Sequence, residues 1–239
     1  MDGLRSLIDR LPLRAMNVVW AVHVAAVAVG AVLYEDGRLD SGIFNLDGEG
    51  PRYWVLVSTT LLLAAAAVAA LARSAPATVF AGFLAFMAVD EAFEVHEHLE
   101  SALSVDWPIL YSPVMAAAGL AALTLLRRHG AVRWFRPALV AGGSCWAIAV
   151  VLEKLQWTDA GYSAAHYDAM MIPEELLEAT GSYLFAVALA LVVRSTSERW
   201  RQRRAGDAAA ADAARSVVGD DPQLRSQGGD VAPELAKRR

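Results

Sequence analysis

Long Ala/Val/Leu runs alternate along this chain with short polar segments, marking six apolar blocks at residues 15–34, 53–72, 78–98, 108–126, 137–156 and 172–193. At a rise of about 1.5 Å per residue, a helix of roughly 20 residues crosses about 30 Å of hydrocarbon. The pattern therefore predicts an all-α, polytopic membrane helix bundle of about six transmembrane helices. Arg5, Arg10 and Arg14 precede the first block as they would in a signal peptide. The apolar run that follows is of membrane length, longer than a signal h-region, and is read as an uncleaved first span.

Charge placement adds an orientation. Arg5, Arg10, Arg14, Arg73, Arg127, Arg128, Arg133, Arg136, Arg194 and the run from Arg199 to Arg204 all fall on one side of the predicted spans. The other side holds Arg38 and Arg52, with Lys154 near the end of the fifth block. The excess of Lys and Arg on the cytoplasmic side predicts an N-in, C-in protein of the cell membrane, with its acidic loops outside. Trp54, Trp107, Trp134 and Trp157, at block ends, fit an interfacial aromatic belt. The domain reading is a cytoplasmic N-terminus at 1–14, a six-helix transmembrane domain at 15–194 and a cytoplasmic tail at 195–239. That tail lacks periodicity and is read as disordered, its basic run anchoring to anionic headgroups.

Composition agrees with the blocks: 56% of the 239 residues are hydrophobic and 20% charged, too apolar for a soluble domain of this length. Cys145 is the sole cysteine, which excludes an internal disulfide and a cysteine-based zinc site. Walker A, G-x-S-x-G, H-E-x-x-H and Rossmann glycine patterns are absent, and nothing in the sequence supports nucleic-acid binding. Gly119, Gly142, Gly143 and Gly181 read as positions of close helix packing.

The chemistry gathers at three block ends. The third block closes with DEAFEVHEHLE, the fifth loses its apolar character at Glu153, and the sixth opens with PEELLE. Each reaches membrane length only if its acidic turn lies within the membrane. On a continuous helix Asp90, Glu91, Glu94, Glu97 and His98 share an arc of roughly 120°, with His96 turned away. Glu174, Glu175 and Glu178 share an arc of roughly 100°. Counted from the cytoplasmic ends, Glu91, Glu94, Glu153, Glu175 and Glu178 lie at a common depth of roughly 18 to 27 Å.

Carboxylates crowded in low dielectric must be protonated, paired, hydrated or bound to metal. Lys154 is the nearby base, and its long stem suits snorkelling to the interface. A site of Glu91, Glu94, His98, Glu153, Glu175 and Glu178 would suit a divalent metal ion, iron or manganese rather than zinc. It lacks the paired E-x-x-H of soluble di-iron bundles. Helix polarity separates the two acidic ends: Pro173, Glu174 and Glu175 suit a helix N-terminus, whereas Glu94, Glu97 and Glu100 oppose the dipole of the helix they end. His23 reads as a packing residue, His166 as part of an outer loop and His129 as uninvolved.

Residues 86–193 resemble a family of uncharacterised multi-pass bacterial membrane proteins with a D-E-x4-H-E helix and a later E-E-x-x-E helix. Here these are Asp90, Glu91, His96 and Glu97, then Glu174, Glu175 and Glu178. The resemblance implies no activity. It places His96 within the motif, whereas the helical wheel favours His98, so which histidine faces the cluster stays open.

Three functions fit these residues. The first is a metal-binding membrane protein, in its enzymatic form a membrane-embedded oxidoreductase or hydrolase. The second is a cation or proton-coupled transporter, and the third a structural protein with a hydrated acidic vestibule. The expected partners are the lipid bilayer and a small-molecule or ion ligand.

Overall fold

The computed structural model describes residues 2–40, 42–46, 53–156 and 164–219. Every regular element among them is helical: α1 (Asp2–Arg10), α2 (Leu13–Glu35), α3 (Tyr53–Leu71), α4 (Ala75–Phe93), α5 (Val95–Leu103), α6 (Trp107–His129), α7 (Phe135–Gln156) and α8 (Ala164–Gly219), with one 3-10 turn at Gly42–Phe44. Six helices are long and apolar enough to cross a membrane, namely α2, α3, α4, α6, α7 and the part of α8 spanning Ala169–Ala211. The predicted all-α polytopic bundle is the observed fold.

Two compact units divide the chain, Met1–Ser195 and Thr196–Arg239. In the second, the Arg204 guanidinium lies 3.8 Å from the centroid of the Trp200 ring. Its described part is helical through Gly219, where the lack of periodicity suggested disorder. Alanine-rich sequence such as residues 208–214 has high intrinsic helix propensity, which periodicity does not register. Residues 220–239 lie outside the described set.

In the first unit α3 packs along α4, and α4 along α6. Pro76 and Pro108 sit in the first turns of α4 and α6, where the missing N–H costs nothing. The core between the helices is apolar, built from side chains such as Leu62, Phe80, Leu84, Leu125, Phe135, Phe185 and Leu189. Helices α7 and α8 cross closely at Gly142 and Gly181: a Cβ at Gly181 would stand 2.9 Å from the Gly142 carbonyl oxygen and collide with the Trp146 ring. Gly119 and Gly143 are different, since a Cβ at either would meet nothing within 4 Å.

The N-terminal residues form a docked helix. Ile8 is buried with Leu71, Ala190 and Val193. Arg5 donates from Nη2 to the Leu71 carbonyl at 2.9 Å, filling an acceptor that the end of α3 leaves open. Arg194 donates from Nε to the Ile8 carbonyl at 2.8 Å and from Nη2 to that of Leu11.

Two departures from the sequence expectation shape the site. The helix expected over 78–98 breaks after Phe93, and α5 begins at Val95. The helix expected to open at 172 begins instead at Ala164, so Pro173 lies inside it. Helix-terminus electrostatics therefore do not account for Glu174 and Glu175.

Candidate functional site

The ends of α4 and α7, the starts of α3, α6 and α8, and the short helix α5 enclose a cavity of about 980 Å³. Among the described residues its wall carries ten carboxylates: Asp90, Glu91, Glu94, Glu97, Glu100, Asp106, Glu153, Glu174, Glu175 and Glu178. The basic groups lining it are Lys154 and His96. Beyond Met87 the bundle is filled by the apolar side chains of Leu84, Phe80 and Phe185, which close that end.

The break between α4 and α5 organises one wall. Glu94 adopts the left-handed conformation, φ 51° and ψ 42°, and its N–H bonds the Asp90 carbonyl. For a residue with a Cβ this conformation costs about 1–2 kcal/mol. The turn it creates returns the chain over Asp90, whose Oδ1 accepts the His96 backbone N–H at 2.8 Å. The Asp90 carboxylate thus serves the first turn of α5 as a side-chain cap would. Its Oδ2 lies 2.9 Å from His96 Nδ1, and Tyr111 donates its hydroxyl to Oδ1 at 2.7 Å. Asp90 is 3% exposed and fully engaged.

The remaining acids are held from several helices. Trp107 donates from its indole Nε1 to Glu153 Oε1 at 2.6 Å and from its backbone N–H to Glu100 Oε1 at 2.6 Å. Lys154 Nζ donates to the same Glu100 oxygen at 3.3 Å, so the lysine pairs inside the cavity wall where snorkelling was expected. Gln156, buried, donates to Glu174 Oε2. Deeper, Glu91 meets the hydroxyl of buried Ser58, and Glu178 lies within electrostatic range of Glu91, Glu174, Glu153 and Asp90. Two indoles fix the backbone of α8 behind its acids: Trp54 donates to the Glu175 carbonyl and Trp146 to that of Glu178, each at 3.1 Å.

Of the six residues expected as ligands, Glu91, Glu94, Glu153, Glu175 and Glu178 line the cavity. His98 does not: it is exposed, and its Nδ1 lies 2.8 Å from the Glu94 carbonyl oxygen. The break at Glu94 rotates α5 relative to α4, which invalidates a wheel drawn through both and puts His96 on the cavity. Among the described residues no three His, Cys, Asp or Glu side chains form a group placed to hold a metal ion.

Asp90, His96, Glu97, Glu100, Asp106 and Glu174 line the cavity beyond the expected set. The D-E-x4-H-E spacing was the signal for His96. Trp107, read from the sequence as an interfacial aromatic, and Gln156 hold acids in place, a role that neither residue's sequence position announces. His23 packs among aromatic rings, stacked 6.0 Å from Trp54, with Nε2 3.4 Å from the Tyr53 hydroxyl. The His166 side chain and Trp157 lie outside the described residues.

Fold and cavity together define a polytopic all-α membrane protein with an acidic pocket between its helices. The chain belongs to the family described as Domain of unknown function (DUF8692), which matches residues 13–193. The match takes in every residue of the cavity wall. No curated protein and no solved structure matches the chain.

Proposed function

We propose that this protein binds cations in a membrane-embedded acidic cavity that opens to one side. The observation that carries this reading is charge imbalance: among the described residues ten carboxylates share a wall with one lysine and one histidine, in a bundle whose opposite end is filled with apolar side chains. Carboxylates in such surroundings need protons, water or cations to balance them, and a bound cation supplies the largest compensation. Glu91, Glu153, Glu175 and Glu178 line the site, with Glu91 and Glu153 within electrostatic range of Glu178. A divalent ion would draw these oxygens together by side-chain rotation, since the described residues are not already grouped as a metal site.

Arginine placement supports an N-in, C-in orientation, with the cavity opening to the outside. The apolar closure beyond Met87 favours a pocket over a continuous transport path. Elemental analysis of protein purified in lipid nanodiscs tests the reading. The wild type should carry close to one equivalent of manganese or iron after growth or dialysis in that metal, and Glu91→Gln and Glu178→Gln should each lose it while staying monodisperse. A folded wild type that retains no cation after dialysis against micromolar metal refutes it.

A further inference from the structure

One side chain in the cavity wall differs in kind from the carboxylates around it. The Asp90 side chain that holds His96 is 4% exposed, whereas the His96 side chain is 25% exposed and lines the cavity. Both Asp90 oxygens are engaged, one by the His96 N–H and the Tyr111 hydroxyl, the other by Nδ1. With Nδ1 donating to a carboxylate, the neutral ring keeps its lone pair on Nε2. No hydrogen bond to Nε2 is formed among the described residues. The Trp107 ring, centred 5.7 Å away and tilted by 56°, braces the imidazole from the side. The left-handed turn at Glu94 brings the chain back over Asp90 and sets His96 in this position.

A carboxylate that anchors one imidazole nitrogen and leaves the other facing a pocket is the outer-shell arrangement that orients histidine toward a metal and raises its basicity. The cavity wall that His96 shares carries carboxylate oxygen donors, Glu97 and Glu153 among them. Building on the cation-binding reading, we infer that His96 Nε2 is a nitrogen ligand that makes this cavity selective for divalent transition-metal ions over Mg²⁺ and Ca²⁺. The chemical basis is the preference of Mg²⁺ and Ca²⁺ for all-oxygen shells, against the affinity of imidazole for first-row transition ions.

Manganese(II) is the probe. Nanodisc-embedded protein is loaded with Mn²⁺, its affinity is measured by equilibrium dialysis, and nitrogen coupling is read by pulsed electron paramagnetic resonance. The wild type should show ¹⁴N modulation from one imidazole and keep its Mn²⁺ against a tenfold excess of Mg²⁺. His96→Gln should abolish the modulation, weaken Mn²⁺ about tenfold to a hundredfold and let Mg²⁺ compete. Asp90→Asn should weaken Mn²⁺ about tenfold with the nitrogen signal kept, as expected of a positioning residue. His98→Gln, in the same short helix, should change none of these and controls for damage to α5. Mn²⁺ bound with unaltered affinity and selectivity in His96→Gln overturns the inference and leaves the cation-binding reading standing. A nitrogen signal that survives His96→Gln overturns it too, and a wild type that binds no Mn²⁺ overturns both.

Discussion

Glu94 shows how one residue can decide what a site contains. It lines the cavity and it also bends the chain, holding φ at 51°. These roles separate by substitution. Glycine adopts the left-handed region freely, so Glu94→Gly should keep the break and raise unfolding stability by up to about 1 kcal/mol, seen as an unchanged or higher melting temperature in detergent. Valine, branched at Cβ, should lose about 1–2 kcal/mol or more at the same position. Equal stability of the two variants would show that the backbone there is not strained. The same residue explains the limit of sequence reading at this site. The acidic turn and most of the glutamates that line the cavity were legible from residue type and spacing. The histidine was not, because an apolar-to-acidic helix end carries no glycine or proline to announce a break, and the φ of a glutamate is invisible to a helical wheel. The D-E-x4-H-E spacing held the right histidine without giving the reason, which is the capping of α5 by Asp90.

At the scale of elements, helix identity was legible because the membrane imposes a simple length rule, and all six expected spans have a counterpart. Helix ends were less legible, because polar helix continues beyond the apolar blocks: α8 starts at Ala164 and α1 forms ahead of the first span. Packing positions were legible only in part. Gly142 and Gly181 stand where α7 and α8 approach closely, whereas Gly119 and Gly143 do not, and a glycine in sequence carries no label of the face it occupies. The distinction predicts a contrast. Gly181→Ala forces its Cβ against the Gly142 carbonyl and the Trp146 ring, and should cost about 1–3 kcal/mol as the helices separate. Gly143→Ala meets open space and should be neutral or stabilising by about 0.5–1 kcal/mol, through the higher helix propensity of alanine. Thermal unfolding of the two variants side by side reads the difference. Because Trp146 also donates to the Glu178 carbonyl, the Gly181→Ala shift should weaken cation binding as well.

For the whole molecule, the apolar core and the acidic cavity divide the bundle between them, and the arginines at the opposite end set its proposed orientation. The described residues place Ser101 on the cavity wall and exposed, and Arg133 exposed in the turn between α6 and α7. With Cys145 replaced by alanine, a single cysteine at either position reports both sidedness and occupancy in right-side-out membrane vesicles. A membrane-impermeant maleimide should label Ser101→Cys directly and Arg133→Cys only after permeabilisation. Mn²⁺ should slow labelling of Ser101→Cys, and adding Glu91→Gln and Glu178→Gln should remove that protection. Ser101→Cys that labels only after permeabilisation, or at the same rate with and without Mn²⁺, would mean that this cavity is not an outward-facing cation site.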